Sequence, residues 1–287
     1  MDKPQRTMKT YTGLISVIFT TYNSPAWLEK VLWGFSCQDD QNFEIIIADD
    51  GSTEETANLI REFSATSKIP IKHVWQADDG FQKCRIMNKA LQEAKGDYVI
   101  FTDGDCIPRK DFVAEHRKNA EPGYFLSGGY FKLPMDISSK ISQDDILKQN
   151  AFDVDWLVKN GLKKSFKLAK LSSTGVRQKI LNRLTPTART WNGHNASGWL
   201  KDLIAVNGFD ETMQYGGQDC ELGYRLSHSG LKTKQIRYTA IVVHLDHKRG
   251  YVSEEMLKKS DSIKRATLKS KRTYTPNGIV PGQCSTD

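Results

Sequence analysis

The chain has 287 residues, 38% of them hydrophobic, which is enough for one large domain or two small ones with a real core. Its formal net charge of +7 and pI near 9.0 favour anionic partners such as phosphates, nucleotides, acidic lipid or acidic glycan. Five cysteines stand apart at positions 37, 84, 106, 220 and 284, so there is no CxxC pair, and the odd count argues against a disulfide framework. No apolar run approaches the roughly 18 residues of a membrane span. The opening MDKPQRTMKT has no apolar signal core, so the cytoplasmic side is expected.

Residues 14–20 (LISVIFT) predict a buried strand, and Pro25 suits the first turn of a helix running to Leu32. Residues 43–48 (FEIIIA) predict a second strand, ending in Asp49-Asp50-Gly51-Ser52. A helix follows with Leu59, Ile60 and Phe63 on one face, then a third strand at 69–75 and a helix at 82–94. Residues 98–102 predict the next strand, with another helix from Phe112 onward. Strands alternating with helices imply an α/β fold with a mostly parallel sheet. In such sheets ligands bind beyond the carboxyl ends of the strands. Asn23, Asp49, Asp50, Asp103 and Asp105 all fall at such ends and should share one rim.

The stretch DYVIFTDGDCIP places Asp103 and Asp105 one residue apart at a strand end. Two like charges this close call for a partner, and a cation with two oxygen ligands suits Mg2+ or Mn2+. The alternative is an acidic turn in which one of them caps the next helix. An EF-hand is excluded, because DGDCIPRK lacks that loop's later ligands and glycine.

After Phe131 the pattern changes, and residues 141–184 read as largely helical. Residues 156–190 hold nine Lys or Arg and no Asp or Glu. Within them LKKSFKLAKL sets Leu162, Phe166 and Ala169 in a weak apolar stripe. This is either a solvated basic face or a contact with an anionic membrane surface or a phosphate-bearing acceptor. Residues 191–197 (WNGHNAS) read as a turn-rich loop carrying His194 and Asn195. Trp191 and Trp199 fit either sugar stacking or the core. Gly216-Gly217 permits a tight turn, after which Asp219 and Glu221 open a helix. Residues 235–243 predict a last strand ending in His244-Leu245-Asp246-His247, followed by a basic helix and a polar tail.

Taken in order, SVIFTTYN, IIIADDGST, the DGD after a strand, HNAS, VNGFDE, GGQDCELGYRL and HLDH resemble the family 2 nucleotide-sugar glycosyltransferases of the GT-A fold. The later pieces resemble their galactosyltransferase-like and chondroitin-polymerase-like branch. The resemblance covers residues 14–250 and implies a GT-A domain over 1–250. Its parts would be a nucleotide-binding half at 12–130, a basic helical insertion at 138–190 and an acceptor half at 191–250, with a basic helix and tail at 251–287.

The resemblance further implies that Thr21, Asn23, Asp49, Asp50, Arg85, Asp103, Gly104, Asn195, Gly217 and Gln218 contact the nucleotide sugar. Asp103, Asp105 and His244 would bind Mn2+ or Mg2+, with His247 a further candidate, and Asp219 would be the catalytic base. The family often has Glu-Asp where this chain has Gln218-Asp219, which leaves Asp219 as the better base. The partners that the resemblance implies are a nucleotide sugar, of UDP, and a glycan or lipid-linked acceptor in cell-surface polysaccharide or lipopolysaccharide synthesis. Peripheral contact with anionic membrane on the inner face fits this setting, and no nucleic acid is expected.

The chemistry agrees with these roles. A divalent cation stabilises the charge that develops on a departing diphosphate. The acceptor hydroxyl needs an aligned base. One such carboxylate favours direct displacement with inversion, whereas retention through a covalent intermediate needs a nucleophile that the sequence does not offer. Three rivals are weaker. An aspartate phosphatase carries its DxD near the start of the domain. A sugar nucleotidyltransferase has a glycine-rich loop where this chain has TTYNSPAW. A binding module that has lost activity need not keep Asp103, Asp105, Asp219 and His244 together.

Overall fold

Parallel strands buried on both faces need near-continuous apolar sequence, and the first hundred or so residues supply it. The computed structural model describes residues 10–247 and 252–280. In it Ile15–Thr21 (β1), Phe43–Asp49 (β2), Ile71–Trp75 (β3) and Tyr98–Asp103 (β4) pair in parallel. Pro25–Ser36 (α1), Glu54–Thr66 (α2) and Lys83–Gln92 (α3) connect them. In α1, Leu28, Val31, Leu32 and Phe35 recur at helical spacing and are buried. Phe35 stacks on Phe19 of β1 at 5.4 Å. Burying each such side chain contributes about 1.5–3 kcal/mol.

Six further strands complete two sheets: Cys106–Pro108 (β5), Tyr124–Ser127 (β6), Gly129–Lys132 (β7), Asn195–Trp199 (β8), Lys232–Gln235 (β9) and Ile241–His244 (β10). The large sheet has the order β3-β2-β1-β4-β8-β6-β9, and the small one β5-β10-β7. β8 runs antiparallel to both its neighbours. The α/β class with a mainly parallel central sheet is therefore as expected. The single strand expected at 235–243 is instead two, β9 and β10, in different sheets. Between them the chain turns at Ile236, whose carbonyl accepts from the N–H groups of Thr239 and Ala240.

Phe112–Asn119 (α4) follows β5. After Met135–Lys140 (α5), the largely helical stretch expected over 141–184 is a series of short helices, Gln143–Leu147 (α6), Val154–Lys159 (α7), Ala169–Ser172 (α8) and Gly175–Leu184 (α9). New caps restart the chain: Ser142 forms a capping box with Asp145, and Asp153 accepts from the Trp156 N–H at 2.7 Å. The expected Leu162/Phe166/Ala169 stripe does not form one face. Leu162 packs on the core beside the buried Leu168 and Leu171, whereas Phe166 is 87% exposed.

Leu200–Ala205 (α10), Gln218–His228 (α11) and Glu254–Ser270 (α12) complete the helices among the described residues. The C-terminal segment is tied into the same body. Thr267 donates to Glu221 at 2.8 Å, and Asn207 holds the carbonyls of Thr275 and Val280. The expected boundary at 250, the first nine residues and the tail at 281–287 with Cys284 lie outside the described residues. No helix among the described residues is long and apolar enough to cross a membrane.

Candidate active site

Strand register builds the site. Thr21 pairs with Asp49, Asp49 with Trp75, and Thr20 with Asp103, so the carboxyl ends of β1 to β4 lie side by side. Antiparallel β8 starts at the same rim, with Asn195 opposite Thr102, which brings Gly193 and His194 there. In the small sheet His244 pairs with Cys106, which sets it against Asp105.

At one end of the rim, Asp49 is sealed in the fold. One of its oxygens accepts from the Ser52 N–H at 2.8 Å and the other lies 2.9 Å from His73 Nε2. Asp50 accepts from Gln76 at 2.6 Å and from the Gln82 N–H at 2.9 Å, and burial raises its carboxyl above the ordinary range. Thr21 is buried, and its carbonyl accepts from the Asp50 N–H. Asn23 accepts from the Thr53 N–H at 2.9 Å and joins the loops after β1 and β2. Tyr22 and Trp75 stay about half exposed beside these loops.

At the centre, Gly104 is required, because a Cβ there would meet the Thr20 carbonyl oxygen at 2.5 Å. Asp103 receives the Lys83 ammonium at 2.6 Å. Burial works against both charges, yet each partner's field prevails, so Asp103 is lowered and Lys83 raised. Asp219 and Asp105 also act on Lys83. No sequence signal had singled out this lysine.

Asp105 Oδ2 lies 3.0 Å from His247 Nε2 and 3.7 Å from His244 Nε2. His244 Nδ1 is 2.7 Å from the Leu245 carbonyl, which can only accept, so Nδ1 carries the proton. With Nδ1 engaged by that carbonyl, Nε2 is the ring atom turned toward Asp105. An imidazole nitrogen and a carboxylate oxygen side by side are the donor types that suit a cation. Asp105, Cys106 and His244 offer ligand atoms within 4.8 Å of one another. Burial raises the Cys106 thiol well above its ordinary range, which leaves oxygen and imidazole as the useful donors.

Asp219 sits inside the first turn of α11, with Gly217 as the N-cap at φ +87°, so it is not itself the cap. Its carboxyl is raised to about 6, chiefly by burial and against the pull of Lys83. The Gly193 N–H bonds to it, but Oδ1 is buried with no hydrogen-bond partner. His194 Nε2 is likewise buried and unpartnered, and burial lowers that ring to about 3. These two unpartnered atoms stand on the same rim, where a ligand's polar groups could meet them.

Other expectations change. Arg85 lies two residues beyond Lys83, roughly 200° around the helix, and faces Asp79 at 3.7 Å. The cation of α3 at the rim is Lys83, not Arg85. Asn195 is fully buried and braces the two sheets, donating to the carbonyls of Gly129 and Ala240 and accepting from His116, so it has no group left for a ligand. Gln218 accepts from the Gly216 N–H at 3.0 Å and shapes the loop before α11. Glu221, two residues beyond Asp219, is locked by Arg225 and Thr267. Trp191 belongs to the core beside Phe101, and Trp199 packs on Tyr98.

Residues 16–144 match the family model Glycosyl transferase family 2. The chain is 30% identical over 267 residues to the uncharacterized glycosyltransferase YfnE of Bacillus subtilis (strain 168), covering 81% of this chain and 64% of that protein. It is 30% identical over 231 residues to the chondroitin synthase of Escherichia coli, covering 75% and 32% respectively. Over residues 16–144 the chain is thus similar to glycosyl transferase family 2. It spans less than two thirds of either relative's own length. Its fold is GT-A. The mannosyltransferase PcManGT from Pyrobaculum calidifontis, solved with GDP-Man and Mn2+, matches it with a TM-score of 0.57 at 22% identity, over 84% of this chain and 59% of that one.

Proposed function

We propose that this chain transfers a sugar, with inversion, from a nucleoside diphosphate sugar to a hydroxyl of a glycan or lipid-linked acceptor. A divalent cation, Mn2+ or Mg2+, assists. The observation that carries this reading is Asp219: buried, raised to about 6, and with one oxygen unpartnered on the same rim as the Lys83–Asp103 pair.

Asp219 takes the proton from the acceptor hydroxyl as that oxygen attacks the anomeric carbon. Lys83, kept charged among carboxylates, offers a fixed cation to the donor phosphates. Tyr22 and Trp75 offer exposed aromatic faces to the nucleobase, and Asp50 offers a carboxylate to base or ribose. Asp105 and His244, with His247 beside them, would hold the cation, which when bound neutralises charge on the leaving diphosphate. Lys170, over the Tyr130 ring, and the buried Arg237 both act on His194 at the rim, and these two cations support an anionic acceptor. The Mn2+ and GDP-Man of the mannosyltransferase support the cation and the donor class. The chondroitin synthase likeness supports work on a surface polysaccharide. A uridine donor is the first to test.

The test is a panel of UDP- and GDP-sugars with Mn2+, read as nucleotide release with and without saccharide acceptors. Acceptor-stimulated release of a nucleoside diphosphate, abolished by EDTA and restored by Mn2+ or Mg2+, is expected. Pyrophosphate as the product would replace the reading with a nucleotidyltransferase. Full turnover in excess EDTA would sink the cation's role.

A further inference from the structure

Helix α9 is docked the wrong way round for an ordinary surface helix. Its polar residues hold it to the body. Gln178 donates to the Tyr238 carbonyl at 2.6 Å, and Asn182 donates to Thr239 at 2.6 Å while accepting from the Tyr238 N–H at 2.8 Å. None of its ten residues is buried. Val176, Ile180 and Leu184 are 73%, 50% and 71% exposed. At roughly 100° per residue the 178/182 pair and the 176/180/184 stripe lie about 180° apart on the helix. The apolar side therefore faces solvent.

The cations flank that stripe. Arg177 falls on one side of it, and Lys179 and Arg183 on the other, all three exposed. The surrounding residues 156–190 carry nine Lys or Arg and no acid. Phe166, 87% exposed, adds a further apolar side chain within this run. An aliphatic stripe bordered by cations is the pattern of a helix lying in the plane of a lipid interface.

We propose that α9 docks on an anionic membrane surface, with Val176, Ile180 and Leu184 entering the headgroup boundary and Arg177, Lys179 and Arg183 on the lipid phosphates. Charge decides this occupant. A second copy of the chain would bring the same basic run against itself. The inference concerns where the protein sits and does not rest on the transferase reading. From α9 the chain leads on to Gly193 and His194 at the rim.

The test uses the whole protein with vesicles of phosphatidylcholine alone or mixed with phosphatidylglycerol. Binding to the anionic vesicles that weakens as salt rises is expected. Val176→Ser/Ile180→Ser/Leu184→Ser should lower the partition coefficient at least tenfold. Arg177→Gln/Lys179→Gln/Arg183→Gln should do likewise and remove most of the salt dependence. All six side chains are exposed, and both variants should melt with the wild type. Ile180→Trp should show a blue-shifted emission on anionic vesicles. Equal binding to neutral vesicles, no binding to either, or a serine variant that binds like wild type would overturn the proposal. So would a concentration-dependent dimer in solution that the serine variant abolishes.

Discussion

A general base must be ionised at working pH and still basic enough to take a hydroxyl proton, and Asp219 is placed to meet both demands. With its carboxyl raised to about 6, it is mostly ionised at neutral pH. Below that value it is protonated and cannot accept. Turnover should therefore be flat above about pH 6 and fall roughly tenfold per unit below it. Asp219→Asn keeps the shape and removes the base, so its transfer rate should fall about 10²–10⁴-fold with donor binding intact. Wild-type turnover from that variant at saturating substrates would remove Asp219 from the chemistry. Lys83 makes a paired prediction with Arg85. Lys83→Gln should raise the donor KM about tenfold or more through loss of a charge-assisted contact, while Arg85→Gln, directed at Asp79, should leave it within about twofold. Equal effects from the two would reject the assignment. The family resemblance implied Arg85, and nothing in the sequence set Lys83, two residues before it, apart. Only the packing of α3 against the β1 and β2 strands shows which of them faces Asp103.

Elements that end in a backbone rule were legible; elements decided by partners were not. β1 to β4 and their helices could be read because buried parallel strands are apolar throughout and the chain alternates regularly. β8 was hidden, since Asn195 to Trp199 (NASGW) has no strand pattern and is strand only because β4 and β6 flank it. The split of 235–243 was hidden for the same reason: two sheets compete for one apolar run. Glu221 shows a similar limit. A carboxylate in the first turn of α11 reads as a helix-dipole partner or a base, yet both Glu221 and Arg225 are fully buried and joined at 2.7 Å. Removing Arg225 leaves the buried Glu221 charge with only the more exposed Arg272, 3.3 Å away. Arg225→Met should therefore lower unfolding stability by about 3–5 kcal/mol in urea titrations. Nucleotide release per folded molecule should persist, which would separate this lock from the chemistry at Asp219.

Across the whole molecule, His116 of α4 joins the two sheets through a chain in which every donor meets an acceptor. Asn195 gives both its N–H groups to the carbonyls of Gly129 and Ala240, so its oxygen accepts from His116 Nε2–H at 3.0 Å. His116 Nδ1 must then be the bare acceptor, taking the Ser197 hydroxyl at 2.7 Å, while Ser197 accepts from Tyr98 at 2.8 Å. A second proton on His116 would place a donor against a donor in a fully buried site. Burial is the larger cause and the neutral network agrees with it: the ring is lowered to about 3 from an ordinary 6.5. The unfolded chain thus binds this proton first, and stability falls as pH drops through 6.5 toward about 3. The slope is about 1.4 kcal/mol per pH unit, so the loss between pH 7 and 4.5 is about 2–3 kcal/mol from this residue. His194, also lowered to about 3, adds a similar slope and must be subtracted. His116→Gln does this, because glutamine can hydrogen-bond but does not titrate. The variant should be weaker at pH 7, yet lose about 2–3 kcal/mol less than wild type between pH 7 and 4.5 in urea titrations. Parallel pH curves for the two proteins would show that His116 is not held neutral, and that the bridge between the sheets tolerates its charge.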